Sequence, residues 1–88
     1  MADVYNDTGV AQLQLGQYEA AVKSFTDALE YSSDMPQALF NRALALEGGR
    51  RYDEAREAWK RFISSNSSEE WKAEARSRLE LLEAPDLK

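Results

Sequence analysis

Residues 16–29 read Gly16-Gln17-Tyr18-Glu19-Ala20-Ala21-Val22-Lys23-Ser24-Phe25-Thr26-Asp27-Ala28-Leu29. The pattern returns 34 positions later as Arg50-Arg51-Tyr52-Asp53-Glu54-Ala55-Arg56-Glu57-Ala58-Trp59-Lys60-Arg61-Phe62-Ile63. No gap is needed. Tyr18 falls on Tyr52, Ala21 on Ala55, Phe25 on Trp59 and Leu29 on Ile63. The same offset carries Tyr5 onto Leu39, Gly9 onto Ala43 and Ala11 onto Ala45. Small residues and large apolar ones recur three or four apart, which is the spacing of one helix face. A self-similarity of this period belongs to repeat architectures, in which each unit buries its apolar face against the next.

Close packing gives the pattern a physical cause. Gly9 and Ala21, and again Ala43 and Ala55, are small enough to let two helices of a hairpin approach. Tyr18, Phe25, Tyr52 and Trp59 then fill the space between neighbouring hairpins, each burial contributing about 1.5–3 kcal/mol. Five helices are expected, over about residues 3–15, 18–32, 36–47, 52–64 and 68–83. Gly16 stops the first and Gly48-Gly49 the third. Asp34 is expected to cap the third helix with Gln37 reaching back, Pro36 being tolerated in the first turn. Ser67-Ser68-Glu69-Glu70 reads as a capping box for the fifth helix, and Pro85 bars its continuation. The fifth helix carries Trp71, Ala75, Leu79 and Leu82 as one apolar stripe, with charges over the rest, so it suits the closing of a stack. The start of the sequence offers no equivalent, so the opening face around Val4, Tyr5 and Leu15 is expected to be incompletely covered.

The chain resembles the tetratricopeptide repeat family, over about residues 3–68. Its second halves, small-x3-aromatic, match well. In its first halves the family's W-x2-L-G-x2-Y becomes Tyr5-x2-Thr8-Gly9-x2-Gln12 and then Leu39-x2-Arg42-Ala43-x2-Leu46. The family proline is replaced by Ser33 and Ser67, and Pro36 comes three residues late. The resemblance implies an all-α, right-handed stack of antiparallel helical hairpins, an α-solenoid. It would form a single domain over residues 1–88: one repeat over about 2–35, a second over about 36–68 and a capping helix over about 68–84.

Composition narrows the function. The 88 residues carry a net charge of -5 and include neither cysteine nor histidine. Disulfides, thiolate chemistry and Cys/His zinc sites are excluded, and the common acid–base and nucleophile arrangements cannot be built. No enzyme activity, cofactor or metal is expected. Glu69/Glu70 and Asp53/Glu54 are paired carboxylates, but they fall at helix N-termini, where acids favour the helix dipole. Gly48-Gly49-Arg50-Arg51 combines glycines with cations as a phosphate loop does. A turn explains it better, since no strand precedes it and no Lys-Ser/Thr follows. Residues 1–44 hold two basic and six acidic side chains, and residues 45–88 nine and ten. An acidic surface argues against nucleic acid and could steer a basic partner. The longest plain apolar run, Ala43-Leu44-Ala45-Leu46, is far too short to span a bilayer. With no secretory pattern at Met1-Ala2-Asp3-Val4, a cytoplasmic protein with no membrane partner is the default expectation.

The resemblance implies a concave side lined by the first helix of each hairpin, where family members bind extended or helical peptides. The side chains available there are Asn6, Asp7, Val10, Leu13 and Gln14, then Gln37, Phe40, Asn41, Leu44 and Glu47. The candidate partner-binding set is Asn6, Val10, Leu13, Phe40, Asn41 and Leu44, with Asp3, Asp7 and Glu47 at the edges. Amides would bond a peptide backbone while Val10, Phe40 and Leu44 anchor side chains. The competing reading is that Leu13, Phe40 and Leu44 complete packing against the next helix. Of the Lys, Arg and Asn set with which some family members hold a chaperone C-terminus, only Asn41 has a match. The expected function is a scaffold or adaptor binding a protein or peptide. The alternative is a self-assembly unit that forms a homo-oligomer through its opening face.

Overall fold

The computed structural model describes residues 1–83. It contains helices α1 (Ala2–Gln14), α2 (Tyr18–Tyr31), α3 (Pro36–Gly48), α4 (Tyr52–Ile63) and α5 (Glu69–Glu83), and no strand among the described residues. Each helix packs on the next in the chain, and α1 also reaches α3. The result is a helical-hairpin repeat stack, elongated at 42 × 27 × 17 Å. Pro85 lies outside the described residues.

The two tight turns are copies of one another. Gln17 N–H bonds to Gln12 C=O at 2.9 Å, and Arg51 N–H to Leu46 C=O at 2.8 Å. Closures of this kind place one residue in the left-handed region. In the first turn it is Gly16, at φ 77°. In the second it is Arg50, at φ 63°. The glycines expected to end α3 do so, Gly48 as its last residue and Gly49 as its C-cap, and Gly48 has a second role. Gly48 is helical, and a Cβ there would overlap the Tyr18 ring. Its bareness is a seat for α2, and the strained position that follows falls to an arginine.

Two expected caps are corrected. Asp34 does not cap α3. Met35 C=O accepts from Leu39 N–H at 3.0 Å, which makes Met35 the N-cap, and no side-chain capping bond forms. Pro36 has no N–H and so needs no partner there. At α5 the cap is Ser68, whose Oγ accepts from Trp71 N–H at 3.3 Å. Trp71 then stands where a capping box requires Glu or Gln, so the reciprocal half of the box is absent.

Trp59, Phe25, Phe62 and Leu46 are the largest fully buried side chains. Ala21, Ala43 and Ala55 are fully buried, as close helix approach requires. Gly9 faces the Phe25 ring so closely that a Cβ would stand 2.5 Å from it. Phe40 meets Trp59 edge-on at 4.8 Å and Phe62 at 5.2 Å. Edge-to-face pairs of this kind add about 0.5–1.5 kcal/mol each beyond area burial. The first repeat has no such cluster, because the counterparts of Phe40 and Phe62 there are Asn6 and Ala28.

Two aromatics depart from the expected core. Tyr52 is 46% exposed. Its counterpart Tyr18 lies over bare Gly48, whereas the equivalent of Gly48 one repeat further on is Leu82, which carries a side chain. Trp71, expected in the buried stripe of α5, is 54% exposed. Ala75 is fully buried, and Leu79 and Leu82 pack against the core beside it. Trp71 is one turn too early on α5 to follow them under α4.

Candidate functional site

The exposure of Trp71 opens a cleft between α3 and the start of α5. Pro36, Gln37, Phe40 and Asn41 come from α3, Phe62 from α4, and Ser67, Ser68 and Trp71 from the last turn and α5. Its volume is about 520 Å³, room for one or two large side chains. Phe40 forms the floor. It is buried against Trp59 and Phe62, while the Trp71 ring stands against it at 4.8 Å, nearly perpendicular. The polar rim comprises Gln37, Asn41, Ser67 and Ser68, with Asp34 shortly before it in the chain and Glu69 and Glu70 directly after Ser68. Helix spacing makes this surface: residues 36, 37, 40 and 41 are one face of α3. An apolar floor with hydrogen-bonding edges suits an apolar side chain on a backbone that needs partners.

The candidate residues divide. Phe40 and Asn41 stand together in the cleft. Val10, Leu13 and Leu44 are partly buried, packed against the core and outside the cleft. Asn6 is buried, and among the described residues its Oδ1 has no hydrogen-bond partner. Glu47 is not a free edge carboxylate. It accepts from the Trp59 indole N–H through one oxygen and from Arg78 through the other, at 3.2 Å. Burial of an indole demands an acceptor, and Glu47 supplies it.

Trp71, Phe62, Ser67 and Ser68 are functional candidates that the sequence reading misses. For Trp71 a signal exists: it is the repeat counterpart of Gln37, itself a groove position. The Gly48-Gly49-Arg50-Arg51 segment forms the end of α3 and the turn into α4. Arg51 clamps Glu54 with two bonds of 2.7 Å and reaches Glu19 at 2.7 Å, tying α4 to α2. Its hydrogen bonds hold the Glu54 carboxyl below the usual carboxylate range.

With two copies of one turn, paired close-packing positions and a hairpin stack, the architecture is that of a known repeat. The sequence profile of the tetratricopeptide repeat matches residues 6–70. The chain belongs to the tetratricopeptide repeat family. No curated protein sequence matches it significantly. Tetratricopeptide repeats generally mediate protein–protein interaction, and the fold is typically a non-catalytic module. Among the described residues of this tetratricopeptide chain, no helix is long and apolar enough to cross a membrane.

Proposed function

We propose that this chain is a scaffold or adaptor domain that holds a partner's peptide segment along α1, α3 and α5, with one large apolar side chain seated in the α3–α5 cleft. In the same proposal, residues 2–35 and 36–68 are two repeats and α5 closes the stack. The supporting observation is Trp71: a tryptophan left 54% exposed against a buried phenylalanine, beside the Gln37 and Asn41 side-chain amides. Exposed tryptophans in pockets with polar rims are where binding energy concentrates. Asn41 and Gln37 would bond the peptide backbone, and Asp34 and Glu70 would favour a segment carrying positive charge, chiefly through its on-rate. Phe40→Ala is a poor probe because Phe40 also supports Trp59 and Phe62. The test is a peptide selected from a random library against the folded domain, measured by calorimetry. Trp71→Ala is expected to weaken binding at least tenfold, about 1.4 kcal/mol, and Asn41→Ala by a smaller factor. Unchanged affinity in both folded variants refutes the proposal.

A second reading draws on the opening face. Val4 and Leu15 are 56% and 73% exposed. Their counterparts in the second repeat lie at a junction between helices: Ala38 is fully buried and Gly49 abuts the Tyr18 Cβ. The first repeat therefore repeats the register of an inter-hairpin contact, with larger apolar side chains that stand exposed. Self-association there predicts a mass that rises with concentration and returns to the monomer in Val4→Lys. A constant monomer mass rejects it.

A further inference from the structure

A second cleft, of about 330 Å³, is lined by Arg42, Asp53, Glu54, Glu57, Ala58 and Arg61. Arg42 lies two residues from Phe40, and therefore on the opposite side of α3 from the floor of the aromatic cleft. Its Nε donates to Thr26 Oγ1 at 3.1 Å, and that hydroxyl donates to Val22 C=O at 2.8 Å, so α2 fixes the plane of the guanidinium. Arg61 donates to Ser33 C=O at 3.3 Å. Among the described residues, neither arginine forms an ion pair. The three carboxylates around them are engaged elsewhere. Asp53 pairs with Arg56, Glu54 with Arg51, and Glu57 with Lys60.

Two guanidinium groups thus share a recess whose three acids each pair with another cation, Arg51 being shared with Glu19 and Lys60 with Glu83. Burial, and then the nearby Arg61, push Arg42 below its ordinary pKa, more than Glu54 opposes. A guanidinium stays charged at any relevant pH, so an added anion would offset the repulsion between the two arginines.

We propose that Arg42 and Arg61 form an oxyanion site for a phosphate monoester. A planar fork with unused N–H donors, held from behind by Thr26, matches phosphate oxygens, and a second arginine adds the charge for a dianion. The net charge of -5 opposes a polyanion at long range, so the site suits a single phosphate group. Such a group is carried by a phosphorylated protein side chain or by a small phosphorylated metabolite.

The experiment is a titration of the whole domain with inorganic phosphate, followed through the arginine Nε–H signals. Saturable shifts at Arg42 and Arg61 are expected, exceeding those caused by acetate or by chloride at equal ionic strength. Arg61→Gln, an exposed substitution, should weaken the effect about tenfold, the size of one lost charge-assisted contact. A phosphoserine peptide and a sugar phosphate form two further arms, and the tighter of the two identifies the source. Shifts equal to those with acetate, shifts as large at Arg50 and Arg76, or an unaltered response in Arg61→Gln overturn the assignment.

Discussion

Gly9→Ala adds one methyl group to a helix interior, which on propensity alone should stabilise α1 by about 1 kcal/mol. The surroundings reverse the sign. The new Cβ would stand 2.5, 2.7 and 2.8 Å from three carbons of the Phe25 ring. Phe25 is fully buried, so its ring has no solvent side to swing into, and α1 must move off α2. Overpacking of this kind costs about 1–3 kcal/mol, and a trapped ring belongs at the upper end. The net expectation is a loss of about 2 kcal/mol, or a fall of roughly 8–16 °C in the melting temperature for a domain of this size. Ala43 is the counterpart of Gly9 in the second repeat, as Trp59 is of Phe25, so an alanine is acceptable where the helices are spaced for it. Circular-dichroism melts of Gly9→Ala, Phe25→Leu and the double variant form the cycle. In the Phe25→Leu background the methyl should be neutral or stabilising, because the ring edge it strikes is gone. A domain that melts higher with Gly9→Ala alone would show that the spacing of α1 and α2 is not set by contact between Gly9 and Phe25.

Arg50→Gly should stabilise the domain by about 0.5–1 kcal/mol by relieving the left-handed position at φ 63°, and an unchanged or lower denaturant midpoint would contradict that. Glu47→Ala should cost about 1–3 kcal/mol, since it leaves the buried Trp59 indole N–H without an acceptor; a melt within error of the parent is the opposing result. Arg51→Gln should return Glu54 to the ordinary carboxylate range in an NMR titration. Because the folded pKa is depressed, this pair stabilises the fold above the unfolded carboxylate pKa and is lost as pH falls through the folded value. The acid limb of a stability-versus-pH curve should therefore move only slightly in the variant, as the pair is exposed.

The hairpin stack is legible in the sequence because the repeat register places Gly9 on Ala43 and Phe25 on Trp59, and such contacts tolerate few residue types. Helix ends are legible within a residue or so, since Gly16 and Ser68 announce themselves by conformation or hydrogen bonding. The left-handed Arg50 is not, because the adjacent glycines offer an easier explanation and only tertiary contact with Tyr18 shows what Gly48 is for. The candidate site is half legible. Phe40 and Asn41 follow from their place on α3, yet the partner surface depends on where α5 docks, which decides that Trp71 faces the cleft while Ala75 goes under. Glu47 has the look of a free acid until the buried Trp59 indole claims it.

A library-selected peptide titrated into the nitrogen-15-labelled domain distinguishes the two surfaces in one spectrum, since the two tryptophan indole signals lie at opposite extremes of exposure. If the α3–α5 cleft holds the partner, the Trp71 indole N–H and the Asn41 side-chain amide shift with saturation, while the buried Trp59 indole stays nearly still. Shifts centred on Val4, Tyr5 and Leu15, with Trp71 unmoved, would place the partner on the opening face and contradict the account.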